Sequence, residues 1–165
     1  MPIAQSNIKL RLSGGASNSA AALSLGGAKS SISLSGNLFD DKSFAESSSG
    51  RTEYRCVYVT NEHATLTAKA ARVWLSANTP GTSTQVLVAL GTSVLNATEQ
   101  SISGETSSPS GLSFSPAALE SAAIQLGDIP PLGSRAIWFR CDVIAGAAVD
   151  PDEPWNIRIA FESEA

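Results

Sequence analysis

Arg135-Ala136-Ile137-Trp138-Phe139-Arg140-Cys141-Asp142-Val143 decides the fold class. Its apolar residues recur with a period of two, which is the signature of a half-buried strand. Successive side chains of a strand point to opposite faces. Ile137, Phe139, Cys141 and Val143 therefore share one face, and Trp138 shares the other with Arg140 and Asp142. Arg72-Val73-Trp74-Leu75-Ser76 repeats the pattern: Val73 and Leu75 face one way, Trp74 the other with Arg72 and Ser76. A large aromatic on a polar face implies a cover, either another part of the chain or another protein.

Further strands lie on both sides of these two. Thr52–Thr60 is rich in β-branched and aromatic residues, with apolar groups on both faces, which predicts a central strand. Leu66–Ala77 ends at the turn Asn78-Thr79-Pro80-Gly81, and Gln85–Leu90 is closed by Gly91. Gln100–Ser103, Leu112–Phe114 and Ile124–Leu126 are short candidates, and Trp155–Glu162 is the last strand. Pro116–Ala123 has the marks of one or two helical turns, with Ser115 as N-cap. Short strands with turn signals and almost no helix predict an all-β antiparallel sandwich. An immunoglobulin-like version places Cys56 and Cys141 on the B and F strands, and a jelly roll is the alternative. Trp74 has the wrong parity for the immunoglobulin core tryptophan, and Phe139 stands where the corner tyrosine would be.

The N-terminal third reads differently. Asn7–Ser13 alternates as one short strand, but 14–36 is Gly, Ser and Ala with a single charge, Lys29. Such a segment has too little apolar surface to order by itself. The expectation is an extended arm over residues 1–50 and a sandwich over 51–165, so that removing 1–36 leaves the sandwich folded. Leu23, Leu25, Ile32 and Leu34 are the anchors by which the arm would order on a partner.

Composition narrows the function. At 165 residues with net charge -4, the chain lacks the basic footprint that nucleic acid requires. No apolar run is long enough to span a bilayer, and no signal peptide is visible, so synthesis in the cytoplasm is expected. Two cysteines make neither a disulfide scaffold nor a metal motif, and both are read as small buried hydrophobes. His63 falls in a turn beside Glu62 and is read as solvated rather than catalytic. Asp40-Asp41 and Asp150, Asp152 and Glu153 lack EF-hand spacing, and Gly14-Gly15 and Gly26-Gly27 are not phosphate loops. No catalytic residue, cofactor or metal ligand is assigned.

The interface candidates are therefore the tryptophans and their neighbours. If the C, F and G strands share a sheet, Trp74, Trp138, Arg72, Arg140, Asn156 and Arg158 share its outer face. Trp and Arg dominate interface hot spots. The chain's own arm, through Leu38, Phe39 or Phe44, is the competing cover. The expected partner interface is Trp74, Trp138, Arg72, Arg140, Arg158, Leu38 and Phe39.

The segments IKLRLSGGASNSAAALSLGGAKSS (8–31), NLFDD (37–41), GRTEYRCVYVTN (50–61), ARVWLSANTP (71–80) and LGDIPPLGSRAIWFRCDV (126–143) resemble tailed-bacteriophage virion structural proteins. The resemblance covers most of the chain and is weakest over 92–123. It implies a non-enzymatic virion component present in many copies. A capsid decoration (cement) protein clamping the major capsid protein is the first expectation, as a homo-oligomer or symmetric array. A tail, neck or baseplate component is the second. A carbohydrate- or host-receptor-binding module is the competing class, because it too uses tryptophan on a β-sandwich.

Overall fold

Arg51–Asn61 forms β4, which is buried on both faces from Glu53 onward. A strand of this kind belongs in the middle of a sheet with cover on both sides. The computed structural model describes residues 2–77, 83–146 and 155–163 and places β4 there. On one side β4 pairs antiparallel with β1 (Ile8–Ser13), from Ile8 opposite Asn61 to Leu12 opposite Val57. On the other it pairs with β9 (Ser134–Val143), from Arg51 opposite Val143 to Thr60 opposite Ser134. β3 (Lys29–Ser33) flanks β1 and β6 (Thr84–Leu90) flanks β9, giving a five-stranded sheet in the order β3-β1-β4-β9-β6.

β5 (Ala68–Ser76) is the centre of a second sheet, between β8 (Ile124–Ile129) and β10 (Asn156–Ser163). The two sheets pack face to face over Val57, Val59, Val73, Leu75, Val88, Ile129, Ile137 and Phe139. Ser115 and Ala117 clip them together along one side. Ser115 exchanges backbone hydrogen bonds with Val88 of β6 (2.8 and 2.9 Å), and Ala117 O accepts from Leu75 N of β5 (2.9 Å). The architecture is the all-β antiparallel sandwich expected from the strand pattern.

Three local expectations are corrected. First, residues 1–50 do not form a separate arm. β1 is an interior strand, and Ile3, Ile8, Leu38 and Phe39 are buried in the main core. Small residues order here through the backbone and hydroxyls, which an apolar-surface argument ignores. Second, Pro116–Ala123 forms no α-helix and has only a 3-10 turn at Glu120–Ala122, because the clip to Val88 and Leu75 holds its start. The α-helix lies instead at Phe44–Ser49 (α1), where Ser43 accepts from Glu46 N and the Glu46 carboxylate accepts from Ser43 N. Third, the strands bearing Trp74 and Trp138 lie in different sheets, whereas the immunoglobulin C and F strands share one.

Cys56 and Cys141 lie on neighbouring strands but on opposite faces, Cys141 in the main core and Cys56 outside it. Both are buried thiols outside any disulfide, and burial pushes the Cys56 thiol pKa up.

Candidate functional site

The polar-side tryptophan of β9 is covered by its own chain. Trp138 is 0% exposed and packs with Tyr54, Cys56, Tyr58 and Ala136 in a second cluster, on the sheet face away from the main core. Ile102, Leu112 and Phe114 close over it, Phe114 lying 5.7 Å from the Tyr54 ring. The rest of the cover is β2 (Gly26–Gly27), paired with β7 (Glu99–Ser101). Gly26 has φ +86, and a Cβ on it would lie 3.0 Å from Trp138 Cζ2 and 1.8 Å from Gln100 O. Only glycine lets backbone pass this close to the indole.

Hydrogen bonds fix the cover. Tyr58 Oη donates to Gly27 O (2.6 Å) and accepts from Glu99 N (2.9 Å). Burial pushes the Tyr58 pKa up to about 12. Cys56 N donates to Ser24 O and Tyr54 N to Glu105 O, both at 2.7 Å. The Glu99 carboxylate accepts from Thr92 Oγ1 (2.8 Å) and Ser93 N (2.9 Å). Burial pulls the Glu99 pKa up, but the hydrogen bonds from Ser93, Thr92 and Gln100 outweigh it and hold the carboxyl at about 2.

A group with a depressed folded pKa stabilises fully above its ordinary value, and that stabilisation is lost as pH falls. Glu99 should therefore cost the wild type stability between pH 4.5 and 2. Glu99→Gln should lower unfolding stability at pH 7 by about 1–3 kcal/mol. The gap from wild type should narrow as pH drops towards 2, in urea titrations across that range. A gap independent of pH would show that the charge of Glu99 is not what holds the cover.

Trp74 is placed otherwise. It is half-buried on the smaller sheet, directly across from Arg158 of β10. Arg72 lies two residues away on the same face, and its Nε donates to Glu120 (3.0 Å). Arg158 Nε donates to Ser76 Oγ (3.1 Å). So Trp74, Arg72 and Arg158 do come together. Trp138 and Arg140 belong to the other sheet, where Arg140 Nε donates to Asp142 (2.8 Å). Leu38 and Phe39 are residues of the main core, with Phe39 6.2 Å from the Trp155 ring, and they are not part of the cluster that covers Trp138. The single patch expected from parity is thus divided, and only its Trp74 half faces outward.

Charged residues are also buried. Glu53 and Arg55 share the inward face of β4 with Val57 and Val59, and both are 0% exposed. Glu53 is paired with Lys42 and with Arg51 (2.8 Å). Arg55 bridges Glu105 (2.6 Å) and Asp40 (3.3 Å) and lies 5.5 Å from the Phe39 ring. Carboxylate oxygens of Asp40, Glu53 and Glu105 lie within 4.8 Å of one another, close enough to hold a cation. Lys42, Arg51 and Arg55 already supply that positive charge, so the cluster reads as an ion network that pins 40–46 and Glu105 to β4. Asp150, Asp152 and Glu153 lie outside the described residues. The His63 Nδ1 accepts from Thr65 N (3.2 Å) and Leu66 N (3.0 Å), which commits it to shaping a turn.

Sequence reasoning missed the two ends of the sandwich. Phe44, the first residue of α1, is 83% exposed, and Ile144, just beyond β9 at the Arg51–Val143 end, is exposed too. Gly146 N donates to Ser47 O there, tying the two segments together. At the Asn61–Ser134 end, Val94 and Leu132 are 71% and 67% exposed, and Asn96 joins their turns by bonds to Ser134. Leu132 has φ +59 in the turn closed by Gly133 N on Pro130 O (2.9 Å). That position favours Gly or Asn. The ten residues of β9 separate the ends by about 30 Å.

Among the described residues no helix is long and apolar enough to cross a membrane. No family model, curated protein or solved structure matches the chain.

Proposed function

We propose that the chain is a non-enzymatic structural protein of a tailed-bacteriophage virion, a capsid decoration or cement protein that binds the major capsid protein. The observation that carries this reading is the pair of apolar ends. Phe44 and Ile144 at one end, and Val94 and Leu132 at the other, give a rigid body two separate contact points. A molecule that bridges neighbouring subunits needs two such points, and weak contacts repeated by symmetry add through avidity. Leu132 sharpens the case. A left-handed leucine is strained, and its side chain stands in solvent, so the fold gains little from it. The resemblance of five sequence segments to virion proteins supplies the particle, and synthesis in the host cytoplasm goes with it.

The test is binding of the recombinant protein to capsids that lack it. Wild type should saturate a fixed number of sites. Phe44→Ser and Leu132→Asn should each weaken binding by roughly tenfold or more with melting temperatures at least as high. Capsids that do not bind the protein, or that bind both variants as well as wild type, would overturn the reading. Binding to tail or baseplate assemblies instead would move it to that component. A second reading rests on Trp74, which stands with Arg158, Asn156 and Gln125 on an open sheet face. An aromatic ring among amides and guanidinium groups suits a saccharide. Loss of glycan binding in Trp74→Ala, with capsid binding intact, would favour it.

A further inference from the structure

The outer edge of β10 has the pattern of a strand that pairs with itself. Among the described residues β10 ends the smaller sheet and pairs only with β5. Leu75 N of β5 points away from β10, to Ala117 O (2.9 Å), so its partner Ile157 turns its own N–H and C=O outward. Two residues on, Ile159 O also faces out, where the exposed Gln5 side chain donates to it at 3.3 Å. At the far end Ile3 N donates to Ser163 Oγ (2.9 Å). Among the described residues these side-chain hydrogen bonds flank the edge, and no backbone ladder covers it.

The side chains on the outward face of β10 are ordered symmetrically about Ala160. Arg158 lies two residues before it and Glu162 two residues after, both exposed. Neither takes part in an ion pair among the described residues. We infer that β10 pairs antiparallel with β10 of a second copy about a two-fold axis at Ala160, extending the three-stranded sheet to six strands.

In this register Arg158 of each copy lies opposite Glu162 of the other, so the charge pair is made twice. Ile159 lies opposite Phe161 and forms the hydrogen-bonded pairs, since its backbone groups are the ones that face out. Ala160 meets Ala160 in the close-approach position, where side chains crowd most, and it is the smallest residue available there. Moving the axis by one residue, to Ile159 or Phe161, puts neither charge opposite its complement. An isologous two-fold contact of this kind is the commonest form of homo-oligomer. The Gln5 amide gives way to a backbone donor of the second copy.

Sedimentation velocity on the full chain, over a concentration series, tests this without any particle. The inference and the virion reading can therefore fail separately. Wild type should sediment as a dimer. Arg158→Glu and Glu162→Arg each place like charges opposite one another twice, and should each weaken dimerisation by roughly tenfold or more. The double variant Arg158→Glu/Glu162→Arg should restore it. Circular dichroism melts keep unfolded variants out of the comparison. A monomeric wild type would mean that the two charges only guard an edge, and would overturn the inference. Dimerisation untouched by the single reversals, or lost and not restored in the double variant, would overturn it too.

Discussion

Deletion of residues 1–36 should leave a chain that no longer folds. The deletion removes β1 from its place beside β4, where it pairs from Ile8–Asn61 to Leu12–Val57. It also removes β3, so the widest sheet falls from five strands to three. Ile3, Ile8 and Leu12 leave the interior. Their burial alone is worth about 1.5–3 kcal/mol each, before the lost ladder is counted. Gly26 and Gly27 go as well, which opens the cover over Trp138, takes from Tyr58 Oη its acceptor Gly27 O and leaves Cys56 N without Ser24 O. A domain of this size has a total stability of only about 5–15 kcal/mol, so the combined loss exceeds it. Far-UV circular dichroism and thermal melting of the truncated chain are the measurements. A cooperative melt close to that of the full chain would show that residues 1–36 are an appendage after all.

That expectation reverses what the composition of 14–36 suggests, and the reason is physical. Counting apolar side chains treats burial of side-chain area as the only source of order. Here order comes from backbone and hydroxyl pairing. Ser13 Oγ donates to Cys56 O and accepts from Gly26 N, and Ser30 Oγ donates to Asn18 O. Small residues are used because they pass close to a large one. Strand identity was legible for β1, β4, β5, β6, β8, β9 and β10, since period-two alternation depends only on neighbours along the chain; β2 and β3, in the small-residue stretch, were not, and Leu112–Phe114 is not a strand. The central place of β4 was legible for the same reason. Two further signals were present in the sequence. Ser43-Phe44-Ala45-Glu46 is a capping box, which marks the start of α1. The alternation Glu53, Arg55, Val57, Val59 places two charges on a core face, which announces a buried ion network. The cover of Trp138 was not legible. It comes from Gly26 and from 99–114, far apart in sequence and without periodicity, and only the tertiary fold brings them together. The apolar ends were hidden for a similar reason. Phe44 and Ile144 are one hundred positions apart, and only the register of β4 with β9 brings their segments to the same end.

The two parity-anomalous tryptophans should now respond differently to the same substitution. Trp138→Ala should cost about 3–5 kcal/mol, the range for emptying a fully buried aromatic site. The indole fills the space between β4, β9 and their cover, and its removal leaves Phe114, Tyr54 and Gly26 lining a cavity. Backbone hydrogen bonds hold that cover on several sides, so it cannot collapse fully into the gap. Trp138→Phe should cost less, because it keeps most of the ring and Nε1 has no hydrogen-bond partner among the described residues. Trp74→Ala should cost less than Trp138→Ala, because Trp74 is half-buried and its loss opens to solvent rather than to a void. Urea unfolding followed by circular dichroism gives the three values. Equal losses for Trp74→Ala and Trp138→Ala would refute the distinction between a covered face and an open one. A large loss for Trp138→Ala also means that impaired assembly in that variant reports a damaged fold. Contact with a partner is therefore to be read from Phe44, Leu132, Arg158 and Glu162, whose side chains stand free of the core.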